Sequence, residues 1–138
     1  MDVDECKDKG FIRYTKIDSN LSKSLIEISN IKEKTIKKIK LDKMSINAFL
    51  PLAYDSLREV LEAYCVLHGF KVGNHICLGN LVKELNPDFD IILFDRIRYM
   101  RNGINYYGTK VDLKQGEKLI IKIFELKKSI LKTTKELF

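Results

Sequence analysis

Hydrophobic residues recur along this chain at intervals of three and four far more often than at two, which predicts helices almost throughout. From about Asn20 to Leu41 the inward stripe is Leu21, Leu25, Ile28, Ile36 and Ile39, with Ser19 or Asn20 as N-cap. A second stripe, Ile46, Leu50, Ala53, Leu57, Val60, Leu61 and Tyr64, predicts a helix from about Ser45 to His68. Pro51 lies within it, so the helix either kinks there or starts there, and Gly69 ends it. After a linker, Phe70–Gly73, Asn74 caps a short helix reaching about Leu85. Asn86-Pro87-Asp88 then breaks and restarts the chain. In the next helix Phe89, Leu93, Ile97, Met100, Ile104 and Tyr107 share a face, and Gly108 closes it as a left-handed residue. Asp112 caps the last helix, whose buried side is Leu119, Ile123, Leu126, Ile130 and Leu137. The expected fold is all-α, an up-and-down bundle of four to five helices.

At 138 residues the chain has room for one core. Residues 19–138 are expected to form that single helical-bundle domain. Residues 1–18 read as an N-terminal arm, in which Phe11–Ile17 suits a strand, a helical turn or an extended arm. A hydrophobic content of 45% and a charged content of 32% fit a folded helical protein rather than a disordered one. No apolar run is long enough to cross a bilayer, and MDVDECKDKG is acidic where a signal peptide would be basic. The expectation is a cytoplasmic protein with no membrane partner. Cys6, Cys65 and Cys77 are odd in number, widely spaced and without a CxxC pair, which argues against a disulfide or a metal site. No cofactor is expected.

The net charge of +6 is unevenly placed. Residues 32–43 hold six lysines against Glu33 and Asp42, and residues 109–138 hold eight lysines against four acids. Such asymmetry can attract a polyanion, and it equally describes two solvated helix faces.

The candidate chemistry gathers near the end of the penultimate long helix. Off its apolar stripe, Arg98, Arg101 and Asn105 follow at spacings of three and four, and Asn102 comes four after Arg98. Two guanidinium groups and two amides thus share one surface, followed by Tyr106 and Tyr107. Closely held arginines repel unless an anion lies between them, so a phosphate is the natural guest of Arg98, Arg101 and Asn105. A solvated face with an ion pair to Asp95 is the plainer alternative. On the second helix Asp55, Glu59 and Glu62 form a carboxylate row. No ExxH pair accompanies it, so its expected role is solvation or pairing with Arg98 and Arg101. His68 reads as a packed or capping residue, and His75 as a partly exposed residue at a helix start.

A helical bundle with a proline-containing second helix, then HGFKVGNH (His68–His75) and RNGINYYG (Arg101–Gly108), resembles a HEPN domain. The likeness is to the small stand-alone HEPN proteins found mainly in archaea, and it covers roughly Met44 to the C-terminus. It implies a bundle of four or five helices that pairs as a homodimer. It also implies metal-independent RNA cleavage through an Arg–four residues–His motif, nucleotide binding, or partnership with a nucleotidyltransferase encoded nearby. Carried over by position, Arg101 and Asn102 match the motif, while the histidine position holds Tyr106. If the chain is an enzyme, those three would be catalytic. Tyrosine, ionising near pH 10, is a poor base at neutrality where histidine near 6.5 is a good one. Moreover, five residues turn a regular helix about 140°. Arg101 and Tyr106 are therefore expected to share a pocket only if the helix unwinds or a second subunit completes the site.

Three functions remain open from the sequence. One is a dimeric module binding RNA or nucleotide phosphate. Another is a metal-independent endoribonuclease, as a toxin or an RNA-processing enzyme. The third is a non-catalytic partner of a nucleotidyltransferase.

Overall fold

The computed structural model describes residues 1–138. Six helices and one small sheet follow in the order α1 (Val3–Asp8), β1 (Ile12–Tyr14), α2 (Ser19–Lys37), α3 (Ile46–Leu67), β2 (Phe70–Val72), α4 (His75–Leu85), α5 (Ile91–Tyr107) and α6 (Leu113–Lys135). Helix α3 is the hub, packed by α2 on one side and α6 on another, with α4 and α5 across a third. Every residue of its expected stripe is buried. The helix begins at Ile46 and continues through Pro51, so the proline falls inside rather than at the start. No helix is long and apolar enough to cross a membrane.

The caps explain where most helices begin. Asn74 accepts from the Cys77 amide, Asp90 from Leu93 and Asp112 from Gln115, each satisfying an amide that the first turn leaves free. Asp18, not Ser19 or Asn20, caps α2 by accepting from Leu21 at 2.9 Å. Gly108 adopts φ 65°, and the amide of Thr109 returns to the Gly103 carbonyl at 3.0 Å, which stops α5 where expected.

Helix α2 is rotated from its expected orientation. Ser22, Ser29 and Ile36 face the core, while Ile28 and Ile39 are exposed. Small serines let the two backbones approach closely. The Ser22 and Ser29 hydroxyls donate to the carbonyls of Ala63 and Ser56 on α3, so no polar group is stranded. Lys127 of α6 is also buried; its ammonium donates to the Ser29 carbonyl at 3.2 Å and pairs with Glu33 at 2.9 Å. Leu137 lies past the end of α6 and is exposed.

The N-terminal segment is tied to the bundle at two places. β1 pairs antiparallel with β2, Ile12 opposite Val72 and Tyr14 opposite Phe70. β2 occupies the expected linker, and three residues are too few to register as alternation. Gly69, at φ 83°, makes the turn into it, and a side chain there would press on the Thr15 carbonyl. The second tie is a disulfide between Cys6 and Cys77, whose Cα atoms are 5.8 Å apart. This corrects the expectation of three free thiols. Cys6 falls three residues after Val3 on the inner face of α1, which packs on α4. Only the tertiary fold brings residues 71 positions apart into bonding range. Cys65 remains free and buried.

Candidate functional site

Helix α5 packs on α3 and α4 with Phe94 and Ile97 buried, and Phe89, just before its cap, is buried as well. Its expected stripe fails at its end, where Tyr107 is 83% exposed. The last two turns instead lay their polar face across α3. Arg101 is the centre of what results. Its guanidinium carbon lies 5.3 Å from the Tyr54 ring centroid and 5.6 Å from that of Tyr106. Nη1 donates to Asn102 Oδ1 and to the Tyr106 hydroxyl, both at 3.2 Å. With the Asn105 amide turned so that its oxygen faces the guanidinium, Nε and Nη2 donate to it at 3.1 and 3.3 Å.

The contact between Arg101 and Tyr106 corrects the angular argument made from the helix alone. Helix α5 stays regular through Tyr107, and no second subunit is needed for the two side chains to meet. The offset of about 140° applies at the Cα atoms. A long arginine and a tyrosine ring can both swing back toward the same side of the helix, and here they do.

No carboxylate pairs with Arg101. The acidic row expected to neutralise it is engaged elsewhere. Arg58 takes Glu62 at 2.7 Å and Asp55 at 3.8 Å, and Lys32 takes Glu59 at 2.9 Å. Arg101 therefore takes its contacts within the chain from neutral groups alone. Arg98 touches only Asp95, at 3.6 Å on its own helix, while its Nε is buried without a partner.

The fold adds a histidine that spacing along one helix could not supply. His75, first residue of α4, lies beside this cluster, with Nδ1 3.0 Å from the Tyr54 hydroxyl. Tyr54 thus joins the two halves of the site, its hydroxyl on His75 and its ring under Arg101. Burial lowers the His75 pKa below its ordinary value, and the positive charges of Arg58, Arg101 and Arg98 lower it further against a smaller pull from Asp55. The imidazole is therefore held neutral near pH 7. Burial also pushes the Tyr54 phenol above its ordinary range, so it stays protonated. His68, by contrast, packs on Tyr64 and bonds its backbone carbonyl, away from the arginines.

Among the residues singled out in the sequence, Arg101, Asn102, Asn105 and Tyr106 come together, and Arg98 adds positive charge beside them. Tyr54, Arg58 and His75 complete the cluster. The sequence carried a faint sign of the first two: they lie four residues apart on α3, with Tyr54 on the same stripe as Leu50 and Leu57. Nothing local tied His75 to Arg101.

The assembled group is a cation cradled by neutral acceptors and aromatic faces, next to a neutral imidazole. A phosphate oxygen presents a full negative charge to the guanidinium and accepts in the bidentate geometry that a planar fork suits, whereas an amide oxygen offers only a dipole. An entering phosphate oxygen can therefore displace Asn102 or Asn105. No known protein family, curated protein or solved structure matches the chain, so the geometry and the local motif carry the functional reading.

Proposed function

We propose that this chain is a HEPN-like helical module that binds RNA or nucleotide phosphate through Arg101 and Arg98, with Asn102 and Asn105 as exchangeable hydrogen-bond partners. One observation carries the reading: the Arg101 guanidinium has no acidic partner and is surrounded by neutral groups that a phosphate can replace. Pairing as a homodimer belongs to the same proposal. It is supported by Ile92 and Tyr99, seven residues apart on α5 and each more than three-quarters exposed. A symmetric pair would bring a second copy of α5 alongside the first. The test is fluorescence anisotropy with a labelled single-stranded RNA at two salt concentrations. Affinity should fall steeply with salt and should collapse in Arg101→Ala. Binding that ignores both changes rules the reading out.

A metal-independent endoribonuclease is the second reading, and His75 favours it. In this reaction His75 Nε2 takes the proton of the 2′-hydroxyl while that oxygen attacks the adjacent phosphorus. The bond to the 5′-oxygen breaks, solvent water protonates the leaving oxygen, and His75 returns its proton to the hydroxide so formed, giving a 2′,3′-cyclic phosphate and a neutral imidazole. Arg101 would offset the charge that develops on phosphorus. His75 thus takes the part that Tyr106 plays poorly. Incubating RNA with the protein and a chelator should yield cyclic-phosphate ends that vanish in His75→Ala and in Arg101→Ala. Cleavage that survives both substitutions belongs to a contaminant.

A further inference from the structure

Beside the Arg101 cluster, between the end of α5 and the start of α6, opens a cavity of about 500 Å³. Its aromatic wall is Tyr99, Tyr106 and Tyr107, and Met100 and Val111 contribute apolar surface. The polar groups are few: Asn102, Gln115, Thr109 and Lys110. Asn102 and Tyr106 belong to both places, since each accepts a hydrogen bond from Arg101 at 3.2 Å. Gly103 forms part of the lining, and a methyl added there would meet nothing closer than Thr109 Cβ at 3.6 Å. A methyl therefore fits at residue 103, and only a larger side chain there would intrude on the space.

We infer that this cavity seats the base of a ribonucleotide whose phosphate lies on Arg101. The inference rests on the phosphate-binding reading above and adds the part of the ligand that reading leaves open. A nucleobase needs a flat apolar face to stack on and a few donors and acceptors at its edge. Tyrosine rings provide the first without regard to base identity. The Asn102 amide nitrogen, whose own oxygen is held by Arg101, and the Gln115 amide provide the second. The Lys110 ammonium has no acidic partner and can meet the phosphate on the other side of the base. The volume is of the size that small-ligand sites use, roughly 300–1,000 Å³. The charge and the rings adjoin in one continuous surface, which neither a lipid tail nor a bare inorganic ion would exploit.

The test compares a labelled ten-nucleotide RNA with an abasic sugar–phosphate strand of the same length, by anisotropy, on the full chain. One stacked base is worth roughly a five- to hundred-fold gain in affinity, so the wild type should prefer the base-bearing strand by about ten-fold or more. Gly103→Leu, which projects a branched side chain into the cavity, should bring that strand down to the abasic level and leave the abasic affinity unchanged. Gly103→Ala should keep the preference. If Gly103→Leu fails to fold, Tyr107→Ala, at an exposed position, should weaken the preference instead. Equal binding of the two strands by the wild type overturns the inference and leaves the phosphate reading standing. A preference that persists in Gly103→Leu also overturns it. So does a preference unchanged while Gly103→Leu turns a dimer into monomers, because the cavity is then a contact between copies. Failure of both strands to bind sinks the phosphate reading, and this inference with it.

Discussion

Reducing the Cys6–Cys77 bond should cost the fold a large share of its stability. The two residues are 71 positions apart, so the link closes a long loop in the unfolded chain. On the chain-entropy account a loop of that length is worth about 4 kcal/mol at 25 °C. With an unfolding entropy of about 2.1 cal/mol/K per residue, a chain of this size should lose roughly 10–15 °C in Tm. Both sulfurs lie in fully buried residues, so reduction must pass through partial opening of α1 from α4. The assay is paired thermal melts by circular dichroism, one sample oxidised and one refolded in reductant. Refolding keeps both side chains and changes only the cross-link. Alkylation under denaturing, non-reducing conditions followed by mass spectrometry should label Cys65 alone. A Tm difference below about 3 °C, or three labelled thiols in the protein as isolated, refutes the reasoning.

The site and the packing beneath it yield further expectations. His75 should titrate by NMR below the ordinary imidazole value of about 6.5, and its midpoint should rise in Arg101→Ala, because burial and the facing Arg58, Arg101 and Arg98 depress it. Because the folded-state value is the lower one, the contribution of this group is intact above about pH 6.5 and drains away as pH falls toward the folded midpoint; His75→Gln should flatten that acid limb of a stability profile. Gly79→Ala should destabilise by about 1 kcal/mol by chemical denaturation, since the new methyl would lie 2.7 Å from the buried Phe94 ring and overpacking exceeds the gain in helix propensity. Adding Phe94→Leu should recover part of that loss. Arg101→Lys should bind RNA nearly as poorly as Arg101→Ala, because an ammonium has no planar fork with which to share Asn102, Asn105 and a phosphate.

Much of the secondary structure is written locally. Asn74, Asp90 and Asp112 cap helices by bonds three residues long, and Gly108 ends α5 by adopting a backbone angle that glycine takes without strain. The stripe of α3 held at every position because that helix is surrounded, and a surrounded helix must be apolar along its contact faces. The stripe of α2 misled because burial there went to small serines. Hydrophobicity alone ranks Ile28 above Ser29, whereas close packing against α3 and a carbonyl in reach favoured the reverse.

Periodicity, caps and breakers were enough to define a helical bundle and to put Arg101, Asn102, Asn105 and Tyr106 on one stretch of helix, since those relations span only a few residues. The partners of Arg101 were settled by contacts between helices: Tyr54 beneath it, His75 joined through that ring's hydroxyl, and an acidic row already taken by Arg58 and Lys32. The same holds for the bond between Cys6 and Cys77 and for the cavity beside Gly103. Local backbone preference acts over one or two turns. Charge compensation, disulfide geometry and empty volume depend on distances that exist only once the chain has packed.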